Sequence, residues 1–89
     1  MTVKTFGRTY RAVLEPDEPK GYVAVLPAVP GLMAHGDSEE EAENLLRDLL
    51  RRHLERLQAA GQALPEDDIE IVWDEEDEEA GARLVTVEV

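Results

Sequence analysis

Between Ser38 and Gly61, apolar residues return at three- and four-residue spacing: Ala42, Leu45, Leu46, Leu49, Leu50, Leu54 and Leu57. That recurrence draws one apolar stripe along an α-helix, with Glu43, Arg47, Asp48, Arg51, Arg52, Glu55 and Arg56 lying away from it. Both ends are marked. Ser38-Glu39-Glu40-Glu41 fits a capping box, the serine hydroxyl accepting a backbone N–H and Glu41 reaching back. Gly61 is placed to end the helix in a left-handed conformation, and Pro65 prevents its resumption. Acids lead and arginines trail, as the helix dipole favours. The pattern predicts a helix over about residues 38–60, roughly 34 Å long at about 1.5 Å per residue.

The segments around this helix read as β-structure. From Thr9 to Glu15, Tyr10, Ala12 and Leu14 alternate with Arg11, Val13 and Glu15, the period-two signature of a strand. Pro16-Asp17-Glu18-Pro19-Lys20-Gly21 interrupts it as a hairpin connection. Tyr22-Val23-Ala24-Val25-Leu26 is apolar throughout, so this strand belongs in the middle of the sheet with both faces covered. Pro30-Gly31 predicts a type II turn, with glycine supplying the positive φ, and Leu32 to His35 suffices for a short third strand. After the helix come Ile69-Glu70-Ile71-Val72-Trp73 and Leu84-Val85-Thr86-Val87-Glu88-Val89, expected to form a terminal hairpin with an acidic tip. The expected strands are thus about 8–15, 22–26, 32–35, 69–73 and 83–89, with the final strand the firmer of the last two. Together they make a single α+β domain over the 89 residues.

A chain of this length buries only about 60–65% of the surface its unfolded form exposes, near the lower limit of independent stability. One helix covers only one face of such a sheet, whereas the second strand is apolar on both. A homodimer or a tetramer is therefore expected, with the uncovered face meeting another subunit.

The formal charge is −12, and it is unevenly spread. Residues 1–36 carry four basic and three acidic side chains, residues 37–61 four and seven, and residues 62–89 one and eleven. Such a surface repels phosphate backbones, so direct nucleic-acid binding is not expected and basic proteins are the better-matched partners. The absence of cysteine removes disulfides, thiolate metal sites and a cysteine nucleophile, in keeping with a reducing compartment. Met1 to Phe6 lacks the apolar core of a leader peptide, and no stretch approaches the roughly 20 apolar residues of a membrane span. A cytoplasmic protein is expected, with no membrane association. Arginine used in preference to lysine, with abundant glutamate, weakly suits a heat-adapted source.

One succession of residues goes beyond periodicity. Tyr10, Leu14-Glu15-Pro16, Gly21-Tyr22-Val23-Ala24, Val29-Pro30-Gly31, Gly36-Asp37-Ser38 and Glu40-Glu41-Ala42, followed by a leucine-rich helix closing at Gly61, resembles the HicB-like antitoxin family and the small UPF0150-type proteins grouped with it. The resemblance covers roughly residues 8–65 and the last strand, and its strength lies in the order of its elements, each of which is common alone. It implies a partial ribonuclease H-like fold of three antiparallel strands, one helix and a further strand. Gly21, Tyr22, Pro30, Gly31, Gly36, Asp37 and Ser38 then serve as structural motif residues. It further implies a non-catalytic protein that neutralises a small, basic ribonuclease toxin with a double-stranded-RNA-binding-like fold. Lys20-Gly21 replaces the frequent glycine pair, and Leu32 the cysteine or small residue that often follows the proline-glycine. Family members commonly continue into a DNA-binding domain. This chain stops at Val89, so operator binding is not carried over.

Ten carboxylates fill the fourteen positions from Glu66 to Glu79. They can be a solvated loop, or an electrostatic lure that speeds association with a basic partner and orients it, with Asp74, Glu75, Glu76, Asp77, Glu78 and Glu79 as the contact. They can also bind divalent cations, although the alternating ligands and glycine of a calcium loop are missing. A two-metal nuclease needs carboxylates converging from core strands, and Glu15, Glu70 and Glu88 supply that poorly. His35 and His53 lack companions for a triad or a metal site, and a contact of His35 with Asp37 would be structural. Ser38 reads as a cap and not a nucleophile. Arg47, Arg51, Arg52 and Arg56 form a helix ridge paired with Glu43, Asp48 and Glu55, or open to the acidic tip of a neighbouring subunit. No catalytic residue, cofactor or metal is expected. Two functions stay open: an antitoxin-like masking of a basic toxin, and a stand-alone homo-oligomeric domain of structural or ligand-binding role.

Overall fold

The computed structural model describes residues 6–89, in the order β1 (Thr9–Pro16), β2 (Tyr22–Val25), β3 (Met33–Gly36), α1 (Glu39–Ala59), α2 (Glu75–Glu79) and β4 (Arg83–Glu88). Met1 to Thr5, read above as part of a terminus unsuited to a leader, lie outside the described residues. The four strands form one antiparallel sheet in the order β3-β2-β1-β4. The class is α+β, as expected.

Alternation decides which face meets the helix. Tyr10, Ala12 and Leu14 of β1, Ala24 of β2, Ala34 of β3 and Val87 of β4 are buried against Ala42, Leu46, Leu50 and Leu54 of α1. These four helix positions recur every four residues, so a single ridge enters the core. Leu49 and Leu57 pack at its margin, and Leu45 is left exposed. The helix crosses β3 at close range. A Cβ built on Gly36 would lie 2.5 Å from the Ala42 backbone nitrogen, so only glycine admits this approach.

The caps agree with the sequence reading in part. Ser38 Oγ accepts the Glu41 N–H at 3.1 Å, while the reciprocal arm from the Glu41 side chain is not formed. Gly61 has φ +70°, and Gln62 N–H to Leu57 C=O with Gly61 N–H to Gln58 C=O completes a Schellman closure. At Pro30-Gly31, a φ of +90° at Gly31 and the Leu32 N–H to Val29 C=O bond give the expected type II geometry.

Two expectations are corrected. Residues 69–73 are not a strand, and no terminal hairpin forms. β4 pairs with β1 on one flank, whereas Asp67 accepts the Arg11 amide on the opposite, β2 flank and Ile69 is bonded to the same arginine, so the chain entering residues 69–73 is held on the far side of β1 from the outer edge of β4. The acidic tip is the helix α2, capped at both ends. Asp74 and Asp77 form a reciprocal capping box, and Gly81 (φ +86°) closes a second Schellman motif through Ala82 N–H to Asp77 C=O and Gly81 N–H to Glu78 C=O. His35, for which a contact with Asp37 is considered above, lies 3.2 Å from Asp17 in the β1–β2 connection. A strand's neighbours two registers away come within reach, whereas the next residues in sequence turn into the helix.

The link from α1 to α2 is fastened to β1 by a contact that no local pattern announces. Arg8 and Val89 exchange backbone hydrogen bonds of 3.1 and 3.0 Å, so Tyr10, Ala12 and Leu14 direct their amides toward β4, and Arg11 and Val13 direct theirs toward β2. Val13 finds Val25 there. Two residues on, Arg11 would meet Pro27, but β2 has turned away, with Val29 N–H bonded to Leu26 C=O. Asp67 fills the gap. Its Oδ2 accepts the Arg11 backbone N–H at 2.7 Å and Nε–H at 2.9 Å, and its Oδ1 accepts Nη2–H at 2.8 Å. The same guanidinium donates to the Ile69 carbonyl, and the buried Tyr10 hydroxyl donates to that of Pro65. The Arg11 side-chain hydrogen bonds hold the Asp67 carboxyl below the ordinary carboxylate range, against partial burial, with the backbone amides of Arg11 and Ile69 assisting.

Replacing Asp67 by Ala leaves the Arg11 amide without its acceptor and is expected to lower unfolding free energy by about 1–3 kcal/mol in urea titrations. Because the folded-state pKa is depressed, this contribution is full above the unfolded value of about 4 and is lost as pH falls below it through the folded value. The difference between wild type and Asp67→Asn is therefore expected to shrink when melts at neutral pH are repeated below about pH 4. Gly36→Ala is expected to cost about 1–3 kcal/mol by forcing α1 away from β3, measured in the same titrations.

Candidate acidic interface

The strand registers show what the chain gathers in space. Pro16 pairs with Tyr22, and Tyr22 with Gly36, so the hairpin connection and the start of α1 share one end of the sheet. Arg83 at the start of β4 bonds Glu39 at the start of α1, and Gly81 lies against the ring of Pro16. The β1–β2 connection, the first turn of α1 and α2 therefore meet at this end. Glu15, Asp17, Glu18, Asp37, Glu39, Glu40, Glu41 and Asp74 to Glu79 all belong to it, thirteen of the chain's twenty-one carboxylates, with only Lys20 and Arg83 as cations. The other eight carboxylates share the rest of the domain with Arg8, Arg11, Arg47, Arg51, Arg52 and Arg56. Nearly the whole net charge sits at one end.

The residues expected to contact a partner are well presented. Asp74, Glu75, Glu76, Glu78 and Glu79 are exposed and Asp77 half-buried, with no buried side chain in α2. Three of the six have a local task, since Asp74 and Asp77 cap the helix and Glu78 accepts Trp73 Nε1–H at 3.4 Å. The remaining glutamates present charge on a rigid turn. The segment's other half behaves differently: Asp67 is turned inward to Arg11, its side chain 8% exposed. Sequence reasoning missed Asp67, and it missed that the hairpin and α1 acids would join α2. The capping spacing Asp74-x-x-Asp77 followed by Gly81 could have revealed α2 itself.

The motif residues lie in turns, at close approaches of the backbone and at the start of α1. Gly21 (φ +93°) sits where a Cβ would lie 2.8 Å from the Gly36 carbonyl oxygen, Tyr22 packs on the core, and Pro30-Gly31 make the β2–β3 turn. Asp37 is exposed, and Ser38 is engaged as the cap of α1.

Among the described residues, no three His, Asp or Glu side chains converge to hold a metal ion, and no helix is long and apolar enough to cross a membrane. On the helix ridge, Arg47 reaches Glu43 and Asn44 and donates to the Glu88 carbonyl at 3.2 Å, and Arg51 pairs with Asp48. Those pairs leave the ridge only partly neutralised.

Comparison with known proteins agrees with this architecture. Residues 10–89 match the family model described as the HicB_like antitoxin of bacterial toxin–antitoxin systems. A UPF0150 protein of Thermoplasma acidophilum is 30% identical over 61 residues, 68% of this chain and 88% of that protein. Among solved structures, the N-terminal domain of the Burkholderia pseudomallei antitoxin HicB superposes with a TM-score of 0.70 at 23% identity, covering 91% of this chain and 96% of that one. A chain of the HicA3 and HicB3 toxin–antitoxin complex gives a TM-score of 0.64 at 20% identity, covering 90% and 95%. With the family model spanning β1 to β4, this chain belongs to the HicB-like antitoxin family of bacterial toxin–antitoxin systems.

Proposed function

We propose that this protein binds a small basic ribonuclease toxin and neutralises it by steric and electrostatic masking, without chemistry of its own. The observation that carries the reading is the gathering of thirteen carboxylates at one end of the domain, presented on α2, the first turn of α1 and the β1–β2 connection. A field of one sign accelerates encounter with an oppositely charged protein and aligns it, and it competes with the RNA phosphates that the same basic surface would otherwise meet. Membership of an antitoxin family and likeness to a chain of a toxin–antitoxin complex support the same partner class.

The test is capture from native lysate at physiological salt, identification of the bound protein by mass spectrometry, and assay of its RNA cleavage with and without added antitoxin. The wild type is expected to retain a small basic protein and suppress its cleavage. In the variant Glu75→Gln, Glu76→Gln, Glu78→Gln, Glu79→Gln, which keeps the Asp74–Asp77 capping box, the association rate is expected to fall about tenfold or more at low salt. That difference should fade at about 1 M salt, where screening acts within about 3 Å. Capture of no basic protein, or cleavage unaffected by the wild type, overturns the proposal. An unchanged association rate in the variant removes α2 from the contact.

A further inference from the structure

β3 forms one margin of the sheet, with β2 on its inner side only. Leu26 N–H donates to the Leu32 carbonyl at 3.2 Å, and alternation from that pair gives the backbone groups of Leu32, Ala34 and Gly36 to β2. Those of Met33 and His35 therefore point away from the sheet, where no group among the described residues meets them. One flank of α1 overhangs this edge. Gly36 lies directly beneath Ala42, and Arg47 reaches across the sheet to the Glu88 carbonyl of β4. Leu45, two residues before Arg47 and so about 200° round the helix, faces out over β3, with Glu41 and Leu49 one turn to either side. Leu45 is 41% exposed although it belongs to the apolar spacing, and Met33 at the edge is 56% exposed. Where β3 begins, Leu32 and Met33 line an apolar hollow of about 310 Å³ with Pro27, Pro30 and Gly31.

We propose that this edge takes an extended segment of the basic partner as a further strand, antiparallel to β3 and lying under the overhanging flank of α1. The choice of partner rests on the function proposed above. β3 is short, and Met33 and His35 offer only two amides and two carbonyls, so the occupant must gain the rest through its side chains. Alternation fixes which of them matter. Residues opposite Gly36, Ala34 and Leu32 point to the α1 side, and those opposite His35 and Met33 point to the other face. Along the α1 flank the side chains change from acid to apolar to base: Glu41 near Gly36, then Leu45 and Leu49, then Arg52. An antiparallel segment therefore meets this flank with a cation first, opposite Gly36, where the absence of a side chain leaves it room. Apolar residues follow two and four positions later, opposite Ala34 and Leu32, to cover Leu45 and Leu49. The cationic end enters the acidic end of the domain, where Asp37, Glu40 and Glu41 stand beside it. The segment so specified is basic, any, apolar, any, apolar.

The experiment is an NMR titration of the isotope-labelled full chain with the acetylated, amidated peptide Thr-Lys-Thr-Leu-Thr-Val-Thr, read on the amides of Met33 and His35. Saturable shifts are expected with a dissociation constant of about 1 mM or below, together with slowed exchange of both amides. The same peptide with glutamate in place of lysine is expected to bind about tenfold or more weakly at low salt. Met33→Pro removes an outward amide and spares the ladder to β2, and Leu45→Lys replaces the apolar flank by a like charge. Each is expected to weaken binding about tenfold or more while circular dichroism stays unchanged. Absence of saturable shifts at about 10 mM peptide, shifts confined to residues away from β3, or affinity indifferent to both variants overturns the site. So does slow exchange of the Met33 and His35 amides in the free protein that is lost on dilution, because a second copy would then hold the edge. Peptide binding without capture of a basic protein from lysate upholds the strand site and overturns only the partner.

Discussion

The central place of β1 governs the rest of the structure. It is bonded to β2 on one flank and to β4 on the other, and its Tyr10, Ala12 and Leu14 form the floor on which α1 lies. Once both flanks are taken, the chain leaving α1 cannot add another strand beside β1. It has to pass the one stretch where β2 has already turned away, and there an unpaired amide awaits an acceptor. A buried donor without a partner costs about 1–3 kcal/mol, which is why the Asp67 carboxylate stands where a sixth ladder position would otherwise be. The Arg11 guanidinium completes the arrangement by carrying the opposite charge, so the acid enters the interior edge without an unbalanced cost.

The fate of the acidic segment follows from that attachment. Its first part is held inward, and its last part must return to Pro16 so that β4 can begin at Arg83. A capped turn of helix makes the return compactly. Six consecutive carboxylates would repel one another in any conformation, yet the first turn of a helix is where acids are best tolerated, because the free amides and dipole face them. The charge is thereby presented on an ordered surface beside the first turn of α1, which is acidic for the same reason.

Much of the fold was legible because its determinants are local. The leucine spacing, Ser38 and Gly61 define α1, and alternation from Thr9 to Glu15 defines β1 and tells which of its faces is buried. Tyr22 to Val25 occupies an interior position between β1 and β3, as its apolar run suggested, although Val23 and Val25 remain half-buried on the face away from α1. Ile69 to Trp73 misled because alternation reports only that a segment suits a strand; whether it comes to lie beside a sheet edge depends on distant contacts, here those of Asp67 and Ile69 with Arg11. Arg11 and Asp67 are fifty-six residues apart, and nothing in the neighbourhood of either distinguishes them from other surface charges.

What the sequence by itself determined is the set of elements, their caps and the identity of the apolar ridge. These depend on helical and strand periodicity and on hydrogen bonds between residues a few positions apart. Tertiary structure alone decided that Asp67 would be an internal acceptor, and that acids from the hairpin, α1 and α2 would share one end while the arginines of α1 occupy the other. The physical reason is that both outcomes rest on strand order. Which strand lies beside which is settled by closing contacts between residues far apart in the chain, and those contacts leave no periodic mark in the segments that they join.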